Sequence, residues 1–465
     1  MKKSLLFISF MTAIVILGGG ICPSKAADML SSDALEARLS EAASVSDLVT
    51  YAYQKNPSVR AAREGWRATV EKYRLITAYP DPQLMVTYFP EPIQTRLGPQ
   101  DWNASLSQMI PYPGKLEKAG EIVQADARVA RLNLDKTVRD VTVLILESFH
   151  ELGYIREAKR IAAQNITLLD HLRKAGETAY AQDRAAFLDV VKAQSQSAQL
   201  RYDALLLDEL ELTEMTRLNG LLNRPPDAPV GHLEKLPFRA ITRSPEDICH
   251  LAETNQEEIR MAQTRVEKAD AQTELARYQN LPSFKVGIFY ASIGSPEVST
   301  PPPDAGQDAV GIQFGVSLPL WSGKNDGRME RARAEAERFR AVKTARILET
   351  RTRIYNLFFR LQNAQRLISL YRDQMLPQAA KSMEMAETWF REGEGSFSDF
   401  AETQSAFYNF QLSLARAGAD YGKYLVRLEK LAGETLTENF SSHSQEKSPA
   451  GDNPGEERPM TSARR

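Results

Sequence analysis

The strongest constraint on the fold is a stretch from Leu116 to about Tyr180 that contains no proline. Apolar residues recur in it at alternating three- and four-residue steps and their multiples, interrupted by Ser148 and Lys159. The apolar members are Val138, Val141, Ile145, Leu152, Ile155, Ala162, Ile166 and Leu169. Such a helix would span roughly 100 Å, more than a globular core needs, and a sustained heptad repeat imposes left-handed supercoiling. The stretch therefore predicts a long helix that packs along its length against comparable helices.

The chain repeats this pattern about 209 residues later. The Pro/Gly corner from Ile110 to Lys115 returns as Leu318 to Lys324. The second apolar seam consists of Ile347, Ile354, Leu361, Ala364, Ile368, Tyr371 and Met375. Because corner and seam keep nearly one offset, an internal duplication explains them better than two unrelated amphipathic helices. Pro377 departs from the repeat and is expected to kink the second long helix.

Residues 1–26 have the features of a secretory signal peptide: a basic head, an apolar region and the small-x-small cleavage site Ser24-Lys25-Ala26. Cys22 raises the alternative of a lipidated N terminus, but the bulky Ile21 stands where a lipobox has a small residue. No later stretch approaches about twenty consecutive apolar residues. Any membrane crossing must therefore be made by strands.

Composition narrows the function. The chain has 465 residues and a formal net charge of −2, so nothing in its charge suggests binding to nucleic acid. After removal of the signal peptide only Cys249 remains, which excludes an intrachain disulfide. The duplication favours one elongated unit built from two halves over several globular domains.

Each half also contains two segments with the alternation of β-strands. We predict strands at about 83–90 and 101–110 in the first half, and at about 283–293 and 308–320 in the second. The intervening loops, 90–100 and 294–307, are predicted to be too long and proline-rich for tight turns. Four strands cannot close a barrel, and an open edge in lipid leaves backbone groups unpaired. Either several chains share one membrane barrel, or the strands form a small soluble sheet.

A test of the membrane interpretation lies in the strand faces. Trp102, Phe284, Tyr290 and Phe314 suit a lipid-facing side, whereas the polar Lys285 and Gln313 must face a lumen. If Lys285 lay on the apolar side of the sheet, the channel hypothesis would weaken.

The predicted fold class is mainly α with a small β part, in duplicated units of helix, hairpin and long helix. The predicted segments follow in chain order. They are a signal peptide 1–26, an N-terminal segment 27–45, a first repeat 46–222 with long helix 116–181 and tip 181–187, a connector 223–245, a second repeat 246–432 with long helix 324–392 and tip 392–398, and a polar tail 433–465 predicted to be disordered.

The order of these parts, with a Pro/Gly corner after the second strand of each hairpin, resembles the TolC family of outer membrane efflux proteins. The resemblance covers about Ser46 to Leu431. It implies a homotrimer in which each protomer gives four strands to one twelve-strand outer membrane barrel, with a long helical cylinder in the periplasm. It also implies a periplasmic adaptor and an inner membrane pump of the RND type as partners, contact with outer membrane lipid, and no cofactor. The corners between barrel and helices would be Pro111, Gly114, Pro319 and Gly323.

In this family acidic residues just past the second tip turn ring the periplasmic aperture. The matching positions here are Asp399 and Glu402, with Asp189 as the first-half equivalent. The i, i+3 spacing of the first two puts both carboxylates on one helix face, and a three-fold axis would gather six of them. A solvated helix face is the alternative explanation. Arg391 or Arg184 could supply a basic partner.

The resemblance also places the adaptor at the tips. The residues that would dock it are Gly393, Gly395, Ser396, Asp183 and Ala185.

The cargo is less clearly marked. Residues 108–115 are similar to the branch that works with heavy-metal cation pumps, which favours metal cations. No metal site is predicted, because the five histidines are scattered and Met383 and Met385 would face different ways on a helix.

Other function classes have less support. We predict no enzyme, since the chain lacks a nucleophile elbow, a phosphate loop and zinc-ligand spacing. The alternatives are a soluble periplasmic coiled-coil protein, such as an adaptor, and a type I secretion exit duct with the same fold.

Overall fold

The computed structural model describes residues 32–181 and 187–437. Helices make up most of this part of the chain, and two small sheets complete it. None of the helices in the described ranges is both long and apolar enough to cross a membrane. The predicted signal peptide, most of the tail and the centre of the first tip lie outside the described residues.

The described part of the first half is built from five helices and three strands. In chain order these are α1 Ser32–Glu41, β1 Ala42–Ala43, α2 Val45–Lys55, α3 Pro57–Thr77, β2 Gln83–Thr95, β3 Gly98–Ile110, α4 Lys115–Ala181 and α5 Phe187–Leu222. Helix α1 and strand β1 occupy the N-terminal segment, for which no secondary structure was predicted.

The second half follows a short strand in the connector. Its elements are β4 His232–Leu233, α6 Pro245–Asn255, α7 Glu257–Gln279, β5 Ser283–Ile293, β6 Ala309–Ser317, α8 Ser322–Leu370, a π-helical turn Tyr371–Met375, α9 Leu376–Glu392 and α10 Phe397–Ala432. Strand β6 ends three residues before the predicted boundary at 320.

The break between α2 and α3 is encoded by Asn56 and Pro57. The Asn56 side chain accepts hydrogen bonds from the N–H groups of Ser58 (2.9 Å) and Val59 (3.2 Å) and so caps α3. Pro57 sits in the first helical turn, where its missing N–H costs nothing. The same break separates α6 from α7 at Gln256, but without a side-chain cap.

Strands β2, β3, β5 and β6 form one antiparallel sheet in that order. The first hairpin corrects a prediction, because β2 continues to Thr95 and a tight two-residue turn, not a long loop, leads to Gly98. Gly98 has φ +137°, and a Cβ there would lie 1.7 Å from the carbonyl oxygen of Gly294. Pro90 and Pro92 fall in an irregularity of the outer strand β2, where a missing N–H removes no regular ladder bond.

The connector is tied to the first half by Arg156 of α4. Its guanidinium donates to the carbonyl oxygens of Gly231 (2.6 Å) and Val230 (2.8 Å) and to Glu211 of α5 (2.7 Å). Strand β4 pairs in parallel with β1, and a Cβ at Gly231 would lie 2.2 Å from the backbone of Glu41. This connector region, with α1, α2 and α6, packs against the long helices, and we call it the equator.

Three apolar clusters hold the helices together. One packs the N-terminal elements against α4 and α5, with Leu48, Ile145 and Leu152 among its members. A second packs α6 against α8 and α10. The third lies near the tip around Phe397 and Phe400. The seam residues predicted from the heptad pattern contribute to the first two.

Candidate functional site

The four-stranded sheet has two chemically different faces. Residues directly opposite each other in an antiparallel pair lie on the same face, so the strand register assigns each side chain to a face. Leu106 stands opposite Leu84 and Ile288, and Ile288 stands opposite Ile312. The large apolar residues of this face are Leu84, Val86, Tyr88, Trp102, Leu106, Ile110, Phe284, Val286, Ile288, Tyr290, Val310, Ile312, Phe314 and Val316.

Nearly all of this apolar face is exposed in the single chain. Phe314 is 79% exposed and Val310 78%. Monomeric soluble proteins rarely present a contiguous apolar surface of this extent, and such a surface marks contact with a membrane or another protein. Gln108 interrupts the face near the end of β3, where its amide donates to the carbonyl oxygen of Pro80 (2.6 Å).

The opposite face carries mainly polar and small residues. Lys285 lies on it, directly opposite Met109 and Gly315, and Gln313 lies opposite Gly287. The sheet therefore separates Lys285 and Gln313 from Trp102, Phe284, Tyr290 and Phe314. This is the arrangement predicted from the sequence for strands that lie between lipid and a water-filled lumen.

The corners after the two hairpins differ in geometry. Gly114 has φ +86°, and a Cβ there would lie 2.7 Å from the Tyr278 ring, so this corner requires glycine. Gly323 is instead part of the first turn of α8 and has open space around it. Pro111 precedes the first corner, and Pro319 accepts a hydrogen bond from the Asn325 amide (3.0 Å) at the second.

The second tip is a tight turn between α9 and α10. Gly393 ends α9 in the left-handed conformation (φ +80°), and the N–H groups of Glu394 and Gly395 donate to the Trp389 carbonyl. Ser396 caps α10, since its Oγ accepts a hydrogen bond from the Asp399 N–H (3.1 Å). The tip residues predicted in this half thus have defined roles in turning the chain.

Asp399 and Glu402 lie on the first turns of α10 and are both exposed. No described cation lies within ion-pair distance of either carboxylate, although Asp399 also favours the positive end of the helix dipole. Arg391, a predicted basic partner, instead pairs with Glu387 on its own helix (2.6 Å).

The first tip is described only in part. Asp189 belongs to helix α5, but its side chain lies outside the described set, as do Asp183, Arg184 and Ala185 entirely. The predicted proximity of Asp189 to the acidic pair therefore stays a prediction.

A buried polar layer just above the tip joins the two halves. Gln404 of α10 is 1% exposed and donates to Asn165 Oδ1 of α4 (2.7 Å). Gln196 of α5 donates to Ser405 Oγ of α10 (2.8 Å). The sequence did not predict this layer, because Gln404 and Gln194 occupy equivalent positions 210 residues apart and nothing local shows which glutamine is buried.

A ladder of ion pairs continues the contact between α4 and α10 toward the equator. Glu151 contacts Arg416 (2.8 Å) and Lys423, and the next rungs toward the sheet pair Glu147 with Arg427 (2.5 Å) and Asp140 with Lys430 (2.7 Å). Burial raises the pKa of Asp140, but hydrogen bonds from Lys136 and Lys430 outweigh it and bring that pKa below its usual value. Opposite charges on the two seams are a sequence signal that could have predicted this ladder.

No group of three or more His, Cys, Asp or Glu side chains in the described ranges is arranged to hold a metal ion. Met383 packs against the tip cluster whereas Met385 is exposed, so the two do not act together.

Comparison with known proteins identifies the architecture. Residues 248–434 match the sequence model of the outer membrane efflux protein family. This match lies in the second half of the chain. A search of curated proteins finds no match to the sequence.

Solved structures extend the likeness to both halves of the chain. The outer membrane protein VceC from Vibrio cholerae superposes with a TM-score of 0.68 at 18% identity, over 84% of this chain and 96% of VceC. CusC, whose structures are described in terms of transmembrane channel formation, superposes with a TM-score of 0.70 at 14% identity, over 84% of this chain and 92% of CusC. The MtrE outer membrane channel of Neisseria gonorrhoeae superposes with a TM-score of 0.67 at 15% identity, over 84% of this chain and 89% of MtrE.

The predicted TolC-like fold is therefore confirmed for the described chain. The matching family model is that of outer membrane efflux proteins, and CusC and MtrE are described as channels. The predicted resemblance to the TolC family, the outer membrane location and the efflux channel function agree with the family match and with the solved structures.

Proposed function

We propose that the protein is the exit duct of a tripartite efflux system, a homotrimer that receives cargo from an inner membrane pump and a periplasmic adaptor. The sheet carries this proposal. It is apolar and exposed on one face, bears Lys285 and Gln313 on the other, and leaves one edge of β2 and one edge of β6 unpaired within the described chain.

These open edges favour assembly. Unpaired backbone groups in lipid cost several kcal/mol each, and only closed barrels avoid the cost for strands. Four strands are too few to close, so β6 of one copy would pair with β2 of the next. Three copies would give a twelve-strand barrel with the apolar face toward lipid.

The helical flanks support the same assembly. On α5, Tyr202, Leu205 and Leu212 are exposed, and on α8 Leu348 and Phe359 are exposed. Within the chain α5 packs mainly on α4, so its apolar flank has no partner along most of its length. A neighbouring copy would cover both flanks.

The aperture would lie at the tip. Asp399 and Glu402, with Asp189, would gather around a three-fold axis, where carboxylates favour cations and repel one another on closure. A metal cation as cargo fits this charge and the resemblance at residues 108–115. The adaptor would dock on Gly393, Gly395 and Ser396, together with Asp183 and Ala185.

Assembly is tested by extracting the mature protein from outer membranes in mild detergent. A trimeric mass, and a single slow electrophoretic band that converts to monomer on boiling, are expected. A monomer in the soluble periplasmic fraction would contradict the channel and favour a coiled-coil scaffold.

The aperture is tested in planar bilayers with Asp399→Asn and Glu402→Gln combined. Cation selectivity of single channels should fall and openings should become more frequent. Asp373→Asn is the matched control, because Asp373 is exposed and pairs with Arg372 away from the tip. Equal selectivity in all three proteins would remove the acidic pair from the constriction.

A further inference from the structure

A groove at the equator lies between α4, α10 and residues 232–239 of the connector. Its volume is about 880 Å³, within the range of pockets that bind ligands or side chains. The connector residues Leu236 and Phe238 line it and are about half exposed, at 43% and 49%. The Phe238 ring already packs on Tyr421 of α10, with 4.7 Å between centroids.

The groove favours an apolar occupant. His150 of α4 lines it, and burial together with the charge of Lys423 lowers the pKa of its imidazole to about 4. The ring is therefore neutral at periplasmic pH. It lies directly on α10, where a Cβ at Gly422 would be 2.3 Å from it. Charged side chains, among them Arg156, Glu157 and Arg160, also line the groove, so an apolar occupant is expected on the uncharged part formed by His150, Leu236 and Phe238.

The chain itself brings a suitable side chain to this place. The described residues end at Thr437, which lines the groove. In residues 438–465 Phe440 is the only Phe, Tyr or Trp, and Met460 is the only other large apolar residue. Three residues span at most about 11 Å, so Phe440 can reach the groove but cannot lie far from it.

We propose that the C-terminal segment binds back into this groove, with Phe440 seated on Leu236 and Phe238. The segment would then clamp the connector, which joins the two halves, against α4 and α10. The remaining residues to 465 are mainly polar and would continue from the groove into solvent.

The test is disulfide cross-linking in the full-length protein in outer membranes. Leu236→Cys and Ser441→Cys are introduced in a Cys249→Ala background, which keeps Phe440 and the Phe238 stack intact. After mild oxidation, trypsin releases residues 236–239 and residues 431–447 as separate peptides, so mass spectrometry identifies the link. We expect this linked peptide pair as the main product.

The matched control adds Phe440→Ser to the same two cysteines. It keeps the tether but removes the aromatic ring, so cross-linking should fall by about tenfold or more, given the value of burying a phenylalanine. Val298→Cys with Ser441→Cys measures chance collisions with a distant exposed site. Equal cross-linking with and without Phe440 would overturn the proposal. A disulfide between two chains would also overturn it, by making a second copy the occupant.

Discussion

Each half of the chain contains a long helical segment between its strands and its tip, which we call the arm. The arm is one continuous helix in the first half and is interrupted in the second. Helix α4 runs for 67 residues without interruption. In the second half a π-helical turn, Tyr371–Met375, separates α8 from α9 immediately before Pro377. The predicted kink at this proline thus corresponds to a local widening of the helix.

The sequence offset between the halves explains the difference. Ile145 and Ile354 in the seams are 209 residues apart, whereas Phe187 and Phe397 at the tips are 210 apart. The second half therefore contains one extra residue between seam and tip. A π turn holds one more residue than an α turn, and here the Leu376 N–H donates to the Tyr371 carbonyl. The duplicated arm absorbs the insertion without moving the residues on either side.

The largest expected effect comes from deleting one residue in each arm. Deleting Gln374 together with Pro377→Ala should turn the π turn into an α turn and leave the tip register intact. Deleting Gln164 in α4 should rotate the rest of that helix by about 100° and empty part of the tip cluster, at a cost of about 3–5 kcal/mol. Thermal unfolding and limited proteolysis of the tips measure the effect of each deletion. Equal damage from both deletions would refute the role given to the π turn.

A smaller contrast is expected between Phe400 and its first-half equivalent Val190, 210 residues earlier. Phe400 is fully buried in the tip cluster, and Val190 is only partly buried. Phe400→Ala should cost about 3–5 kcal/mol and Val190→Ala about 1 kcal/mol. Hydrogen exchange in α9 and α10 should become faster in Phe400→Ala but not in Val190→Ala. Similar exchange in both variants would mean that the tips share stability equally.

The two equivalent glutamines should differ in the same direction. Gln404→Leu removes the donor to Asn165 and leaves a buried oxygen unpaired, which should cost about 1–3 kcal/mol. Gln194 is exposed, so Gln194→Leu should change stability by less than about 0.5 kcal/mol. Denaturant unfolding in detergent compares them, and a neutral Gln404→Leu would show that the polar layer does not hold α10 to α4.

The smallest effect concerns Asp140 and Glu349, which are also 209 residues apart. The pKa of Asp140 is lowered in the folded protein, so its contribution is present above the unfolded pKa of about 3.9 and is lost as pH falls through the lower folded value. Asp140→Asn should therefore lower stability by about 1 kcal/mol at neutral pH and remove part of the acid sensitivity below about pH 4.

Glu349→Gln is the matched control. Among the described residues Glu349 pairs with Arg346 and Arg353 on its own helix, and these side chains are about half exposed. Its replacement should change stability by less than about 0.5 kcal/mol at any pH. If the stability of Asp140→Asn fell as steeply below about pH 4 as that of the unmodified protein, the assigned role of Asp140 would be contradicted.

The sequence by itself determined the features that depend on local periodicity. The proline-free stretch after the first Pro/Gly corner predicted a long helix from Leu116, and α4 begins at Lys115. The alternation predicted a strand at about 283–293, and β5 spans Ser283–Ile293. The duplication, the Pro/Gly corners and the strand alternation predicted a mainly α chain with a small β part in two similar halves, as observed. The separation of Lys285 from the apolar residues also followed, because side chains alternate along any strand.

Only the tertiary structure decided the features that depend on neighbours. It showed that Gln404 is buried and Gln194 exposed, that Gly114 but not Gly323 needs a left-handed backbone, and that β2 continues past two prolines. Equivalent sequence positions received different environments, because α10 packs against α4 of the other half whereas α5 mainly contacts its own. Periodicity fixes which face of a helix is apolar, but only packing selects which partner covers it.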